Sequence, residues 1–228
     1  MKGFGLPQQS IEQFFSDVWQ LREETIYPRL FGSIKSEISV IPAEFFAIPP
    51  HEFTPPPLWL HYGAVTSPPD SIRNCWAYVS SGLSNPTPDQ CEHPNPAEPS
   101  GLGFEVVMFT TTESPWAARI IQWVMANQML AAAGLVSFEL MEIFDRIHLP
   151  PALCPPDPSH IKHLFVLPAP ADIHLFEMPS GKVEMLLLLG ITDAEMKFAR
   201  AQDGSGLLEL LQHHGVSRIT DVTRPGVI

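Results

Sequence analysis

Basic residues are scarce in this 228-residue chain. Lysine and arginine together number 13, against 25 aspartates and glutamates, which gives a formal net charge of −12 at pH 7. A protein that follows nucleic acid or an anionic membrane needs clustered lysine and arginine, and the sequence has no such cluster. The composition therefore predicts neither a nucleic-acid nor a membrane partner, and a basic protein is the electrostatically complementary one.

Cysteines and long apolar runs are also few. Cys75, Cys91 and Cys154 are too few, and odd in number, for the disulfide framework of a small secreted protein. The first residues, MKGFGLPQQ, lack the basic and then apolar build of a signal peptide. The most apolar long stretch, residues 116–136, carries Arg119 and several amide side chains, which a bilayer core disfavours. We therefore expect a cytoplasmic protein.

Signatures of catalysis and of metal binding are missing as well. The sequence has no glycine-rich phosphate loop and no paired cysteine motif for zinc. The serine-rich stretch CWAYVSSGLSNP at 75–86 resembles a nucleophile turn, but Asn85 and Pro86 follow Ser84, so no helix begins there. No catalytic residue, metal site or cofactor is predicted.

Proline, by contrast, is abundant: 25 residues, roughly twice the usual frequency. An apolar stripe beginning at Ile11, preceded by Ser10 as N-cap, predicts a helix that ends near Tyr27 and Pro28. Further elements follow from strand composition, capping residues and turn signals. Strands are predicted at 36–41, 58–65, 76–80, 104–112, 135–144, 163–167, 174–177 and 182–189, helices at 115–133, 192–201 and 207–214, and a long loop at 85–101.

This order of elements predicts an α+β fold in one domain. Its mixed, mostly antiparallel sheet would pack against a long central helix and shorter N- and C-terminal helices. Residues 1–57 are expected to form an N-terminal helix and a proline-rich edge segment, and residues 58–228 the core of the same domain.

Several short blocks, in a fixed order, resemble the suppressor of fused domain family. They span approximately residues 58–224, and their spelling is most similar to that of bacterial members. The blocks are YVSSGLS at 78–84, SGLGFE at 100–105, PWA at 115–117, PSGKV at 179–183, GITDAE at 190–195, GLLELL at 206–211 and ITDVTR at 219–224.

The resemblance implies a non-enzymatic protein-binding module that sequesters or inhibits a protein partner. Animal members hold transcription factors between two domains that close on a peptide strand, and bacterial members are thought to include immunity proteins against toxins. Tyr78 stands where the animal family has a partner-facing tyrosine. The expected partner-binding residues are Tyr78, Ser80, Leu83, Ser84, Asn85, Phe104 and Glu105. Because the sequence stops soon after Arg224, we do not expect a two-domain grip within this chain.

Two other functions stay open at this point. A hydrolase site would have to be assembled from scattered residues such as Ser84, His61 and Glu105, and would place titratable groups together in a pocket. A structural subunit of a larger assembly would instead use its aromatic surface as a permanent interface. Neither the oligomeric state nor the binding face of the sheet follows from the sequence.

Overall fold

A computed structural model describes residues 10–35, 37–49, 53–71, 73–202, 204–216 and 218–228. Its helical elements are α1 (Ile11–Gln20), a π-helical segment (Leu21–Ile26), α2 (Tyr27–Phe31), α3 (Pro88–Glu92), α4 (Pro115–Ala132), α5 (Asp193–Ala201) and α6 (Gly204–His213), with 3₁₀ turns at Ala43–Phe46, Pro57–His61 and Pro151–Leu153. Its strands are β1 (Ser39–Val40), β2 (Gly63–Ser67), β3 (Trp76–Ser81), β4 (Pro99–Thr110), β5 (Arg146–His148), β6 (Ile161–Pro168), β7 (Leu175–Met178) and β8 (Gly181–Thr192).

The strands form one open sheet in the order β1-β2-β3-β4-β8-β6-β5, and β7 pairs with the first part of β8. The long central strands β4 and β8 run parallel, whereas the other paired neighbours are antiparallel. The predicted single α+β domain with a mixed, mostly antiparallel sheet is confirmed.

Alternating side chains of the central strands divide the core into two layers, as expected where both faces of a sheet are covered. On one face, Tyr78 and Val106 pack with the buried side of α4. On the other face, Val79 and Val107 pack with apolar residues of the N-terminal helices, α5 and α6. Glu105 shares the second face by its spacing from Val107, so its carboxylate lies beneath the N-terminal helices.

The N-terminal helix continues further than predicted. The sequence-based end near Pro28 is wrong, because α1 passes into the π-helical segment and then into α2, which ends at Gly32 with a φ of 72°. A proline inside a regular α-helix clashes with the carbonyl of the residue four positions earlier. The wider π turn immediately before Pro28 accommodates the ring.

Four other predicted segments also differ from the structure. Pro57 starts a 3₁₀ turn, so β2 begins only at Gly63, and the loop at 85–101 contains α3 and the start of β4. Residues 135–144 are not a strand; Phe144 has a φ of 74°, and the nearby strand β5 begins two residues later. The strand predicted at 36–41 is limited to β1, and Ser36 lies outside the described residues.

The strongest local signals are confirmed. Thr192 and Glu195 form the predicted capping box of α5, and the turn at 179–181 joins β7 to β8. Pro115 lies in the first turn of α4, and Gly134 lies beyond its end at a φ of 69°. Ser114 stands at the N-cap position, but its hydroxyl donates to the Thr112 carbonyl and caps no N–H group of the helix. These elements depend on residues close in sequence, which is why the sequence alone predicts them.

Candidate functional site

The predicted site lies at the turn that follows β3. Gly82 has a φ of 146° and packs against Tyr62 so closely that a Cβ atom there would lie 2.4 Å from the Tyr62 Cγ. Asn85 N–H donates to the Gly82 carbonyl at 3.2 Å, and Leu102 N–H donates to the Leu83 carbonyl at 2.8 Å. Because the turn needs both a positive φ and a close contact, only glycine fits at position 82.

The Glu105 carboxylate organises this turn from beneath. It is fully buried, and its Oε1 accepts hydrogen bonds from Gly82 N–H at 3.1 Å, Ser84 N–H at 2.9 Å and the Ser84 hydroxyl at 2.6 Å. Its Oε2 accepts from the Ser80 hydroxyl. Hydrogen bonds to an ionised carboxylate are stronger than neutral ones, so these donors compensate for the burial of the charge.

Arg22 supplies the opposite charge from the N-terminal π-helical segment. It is fully buried, and its Nη1 lies 3.7 Å from the Glu105 Oε1. The guanidinium donates to Ser84 Oγ at 3.1 Å, to Asn85 Oδ1 at 2.5 Å and to Ser81 Oγ at 2.8 Å. A buried arginine with a carboxylate and three side-chain acceptors fixes the geometry of the turn and joins it to the N-terminal helix.

Two buried tyrosines complete this arrangement. Burial, and then the nearby Glu105 charge, hold the pKa of Tyr27 well above its ordinary value, so the hydroxyl keeps its proton and donates to the Ser80 carbonyl at 2.6 Å. Burial also raises the pKa of Tyr78. The Tyr78 hydroxyl accepts from Ser114 N–H at 2.5 Å and so ties β3 to the start of α4.

All seven predicted partner-binding residues are buried in the isolated chain. The structure brings Ser80, Ser84, Asn85 and Glu105 into one hydrogen-bonded cluster, and it places Tyr78, Leu83 and Phe104 in the apolar layer against α4. Their exposed fractions are 2% for Tyr78, 0% for Ser80, 2% for Leu83, 0% for Ser84, 7% for Asn85, 7% for Phe104 and 0% for Glu105. In this conformation they shape a surface and present little area of their own.

Sequence reasoning missed Arg22 and Ser81, which belong to the same cluster. A signal for Arg22 was present. The apolar stripe of the first helix runs through Ile11, Phe14, Phe15, Val18 and Leu21. Arg22 follows Leu21 and lies four positions after Val18, on the same face of the helix. A charged residue on a buried stripe indicates a buried partner, although the stripe does not identify that partner.

The outer side of the turn forms a shallow apolar depression of about 320 Å³. We call it the turn groove, and its lining includes Leu58, Trp59, Tyr62, Leu83, Pro86 and Leu102. Leu58 is 41% exposed. An apolar surface of this kind, supported by a rigid turn, is suited to contact with another molecule.

The residues of the alternative hydrolase site do not assemble into a catalytic group. Ser84 is fully buried, and its hydroxyl is engaged by Glu105 and Arg22. His61 lies exposed on a 3₁₀ turn, and no hydrogen bond connects it to Ser84 or Glu105 in the described part of the chain. A serine nucleophile needs an adjacent base within hydrogen-bonding reach, so this geometry does not support the hydrolase interpretation.

Within the described ranges, no three histidine, cysteine, aspartate or glutamate side chains are placed to hold a metal ion. None of the helices formed by the described residues is both long and apolar enough to cross a lipid bilayer.

The fold and the turn together define an α+β domain whose buried charges organise the turn after β3. The family model for suppressor of fused protein matches residues 55–225, and the chain belongs to this family. The family match includes the whole β3 turn and both central strands of the sheet.

Known relatives agree with this assignment. The chain is 27% identical to the human suppressor of fused homolog over 163 residues, which is 66% of this chain and 31% of the human protein. The chain therefore spans less than half the length of that curated relative.

Solved structures with a similar fold include the following three. A suppressor of fused homolog from Neisseria gonorrhoeae has a TM-score of 0.58 at 14% identity, covering 98% of each chain. A chain of a Sufu–Fu complex has a TM-score of 0.60 at 19% identity, covering 97% of this chain and 93% of that one. Drosophila Suppressor of Fused has a TM-score of 0.56 at 20% identity, covering 73% of this chain and 42% of that one.

Proposed function

We propose that this protein is a non-enzymatic module that binds a protein partner and holds it inactive. The observation that carries the proposal is the arrangement at the turn. Glu105 and Arg22 are engaged by neighbouring protein groups, and they support a turn whose outer side is an apolar groove. Such an arrangement presents a fixed shape to a partner and no exposed reactive group.

Family membership supports the same function. One similar chain was solved in a Sufu–Fu complex, that is, with a protein partner. The net charge of −12 favours a basic partner, because opposite net charges accelerate association and make it sensitive to salt. We therefore propose inhibition of a basic protein, in the manner of an immunity protein that neutralises a toxin.

The seven predicted residues act, in this proposal, by shaping the binding surface. Leu83 and Asn85 line the turn groove from below. Tyr78 holds the adjoining strand against α4 through its bond to Ser114 N–H. Substitution of Tyr78 by alanine is expected to weaken partner binding, because the cavity it leaves would let β3 and the turn shift.

Affinity capture from lysate, with quantitative mass spectrometry, tests the proposal. The baits are the wild-type protein, the turn-groove variant Leu58→Glu/Leu102→Glu and the control variant Leu175→Glu. Leu175 is 55% exposed and lies on β7, outside the lining of the turn groove. Each bait is captured at low and at high salt.

The proposal predicts one basic protein retained stoichiometrically by the wild type and by Leu175→Glu, lost with the groove variant and reduced at high salt. The purified partner should then lose affinity for Tyr78→Ala but not for Leu175→Glu. Equal retention by all three folded baits, or an unchanged affinity for Tyr78→Ala, would contradict the assignment of the turn as the binding surface.

A further inference from the structure

Two histidine rings face each other where β5 pairs with β6. His148 of β5 is the register partner of His163 of β6, and their Nδ1 atoms lie 3.2 Å apart. The ring centroids are 4.9 Å apart, and the ring planes are inclined by 46°. The His163 side chain is only 7% exposed, whereas His148 is exposed. The pair therefore combines one buried imidazole with one that solvent reaches.

Asp193 determines which nitrogen of His163 carries a proton. The His163 Nε2 lies 2.8 Å from the Oδ1 of Asp193, the first residue of α5. An ionised carboxylate only accepts hydrogen bonds, so the donated proton belongs to Nε2. In the neutral ring, the Nδ1 atom then keeps its lone pair. That lone pair faces His148, whose Nδ1–H donates to it in the absence of an ion.

The spacing of the two Nδ1 atoms suits a shared metal ion. Bonds from zinc to imidazole are about 2.0–2.1 Å long, so an ion equidistant from both atoms would make an N–metal–N angle of about 100°. This angle lies between those of square-planar and tetrahedral coordination. Binding requires the exposed His148 ring to turn and its proton to move from Nδ1 to Nε2 through solvent. Both Nδ1 lone pairs then point at the ion.

The surroundings of the pair favour a cation. A carboxylate bonded to the outer nitrogen of a ligating imidazole fixes the ring and raises its basicity, and Asp193 occupies this place beside His163. His148 also lines an open depression between α4 and β5, together with the Glu142 and Asp145 side chains. These carboxylates make the local potential more negative and attract a positively charged ion.

Solvent would complete the coordination. The pair supplies two protein ligands, one fewer than the groups of three that are absent from the described residues. Because His148 lies at the open depression, water molecules can take the remaining positions. Lys162 and Lys197 lie close enough to interact with Asp193, and their positive charge limits the affinity for a cation.

We propose that His148 and His163 chelate one divalent transition-metal ion, of the zinc and copper class, through their Nδ1 atoms. Asp193 is the positioning residue of this site. Imidazole suits both ions, and a given nitrogen site binds copper(II) more tightly than zinc. The bound ion would link β5 to β6 and stabilise the end of the sheet. The inference does not depend on the turn groove or on the proposed partner binding.

Isothermal titration calorimetry tests the site with the full, untagged chain, freed of metal by a chelator. Zinc chloride and copper(II) chloride are the two probes, and each should show one tight, saturable equivalent. Loss of a group that orients a ligand already weakens metal binding about tenfold or more. His148→Ala, which removes a ligand, should therefore weaken zinc binding by more than about tenfold.

Histidines elsewhere on the surface provide the controls. His160→Ala removes an exposed histidine close to His163 in sequence, and His213→Ala/His214→Ala removes an exposed adjacent pair. Both variants should keep the tight equivalent at wild-type affinity. Circular dichroism checks the fold of each variant; because His148 is exposed, its substitution is expected to leave the fold intact.

Electron paramagnetic resonance of the copper(II) form separates chelation from an indirect effect. The spectrum should show coupling to two imidazole nitrogens in the wild type and to one in His148→Ala. Asp193→Asn keeps an acceptor for the His163 Nε2–H but loses the charge. It should preserve coupling to both nitrogens and weaken zinc binding by about tenfold.

The inference would be overturned by the absence of saturable binding, by an unchanged affinity of His148→Ala, or by coupling to a single nitrogen in the wild type. Equal losses in His148→Ala and in either histidine control would also overturn it, because they would indicate nonspecific binding to surface histidines. An unchanged affinity of Asp193→Asn would overturn the role assigned to Asp193.

Discussion

The turn after β3 carries carboxylates, and so does an open depression of about 700 Å³ lined by α4, residues 137–142 and β5, which we call the edge groove, but the two settings are opposite. Glu105 is fully buried and accepts four hydrogen bonds from the protein. Glu139 and Glu142 are exposed at the groove surface. Burial makes a charge costly unless neighbouring groups engage it, whereas exposure leaves it free to attract a partner.

The charges at the two sites have different roles: those at the turn stabilise the fold, and those at the edge groove can attract a partner. At the turn, charge is used internally and the outer surface is apolar. At the edge groove, charge lies at the surface beside apolar side chains and the outer edge of β5, the last strand in the order of the described sheet. Stability should therefore respond to substitutions at the turn, and association with a basic partner should respond to charge substitutions at the edge groove.

The largest effect is expected from Glu105→Ala. It removes the buried carboxylate beside Arg22, leaving the partly exposed Glu23 carboxylate 3.7 Å from the guanidinium, and it removes the acceptor of four hydrogen bonds, so the free energy of unfolding should fall by about 3–5 kcal/mol. Urea denaturation followed by circular dichroism measures this change. Glu139→Ala is the matched control, and an equal effect of both substitutions would show that burial does not distinguish the two sites.

A smaller effect is expected from Arg22→Met, because the serine and backbone donors of Glu105 remain in place. We expect a loss of about 1–3 kcal/mol. Combined with Glu105→Gln, the two substitutions should be non-additive by about 1–2 kcal/mol, since they remove partners within one network. Strict additivity in this double-mutant cycle would mean that the two side chains do not interact energetically.

The local signals and the long-range cluster differ in how far the sequence predicts them. Thr192 and Glu195 are three residues apart, so their capping box is readable directly. Arg22 reaches Ser81, Ser84 and Asn85 from 59 to 63 positions away, and helical periodicity carries no information about such a partner. The seven partner-binding residues are predicted from the family resemblance, and their burial is evident only from the fold.

At the edge groove, by contrast, a local sequence pattern led to a wrong prediction. Apolar residues at 135–144 suggested a strand, yet Leu135, Phe138, Leu140 and Ile143 remain substantially exposed. The true strand β5 has only three residues, too few for a period of two to be recognised. An exposed apolar loop and a short edge strand resemble each other in sequence because both mix apolar and polar residues.

Titration with acid should test a second buried carboxylate, that of Glu195. Burial alone would raise its pKa, but hydrogen bonds from Arg224 and from the Thr192 and Val227 N–H groups outweigh burial and lower it below the ordinary 4.5. A lowered pKa in the folded state means that the stabilisation is present above pH 4.5 and is lost as the pH falls through the folded-state pKa.

Urea titrations between pH 7 and pH 3 measure this dependence. Wild-type stability should fall below about pH 4.5 more steeply than that of Glu195→Gln, which cannot lose this charge. Identical pH profiles of the two proteins would contradict the assigned pKa direction.

The smallest change in stability is expected from Glu139→Lys/Glu142→Lys. Exposed substitutions without defined contacts usually alter the free energy of unfolding by less than about 0.5 kcal/mol. The same variant should slow association with a basic partner and reduce the salt dependence of the rate. Stopped-flow association at several salt concentrations checks this, and an unchanged rate with the purified partner would remove the edge groove from the recognition surface.

Hydrogen–deuterium exchange of the protein, alone and with its captured partner, tests most directly the claim that this is a protein-binding module with a prearranged turn. The account predicts that the amides of Gly82 and Ser84, bonded to Glu105, exchange slowly in both states. Protection on binding should appear at 57–62 and 101–103 beside the turn groove, and at 145–149 along β5. Fast exchange of the turn amides in the free protein, or partner protection confined to β7, would contradict it.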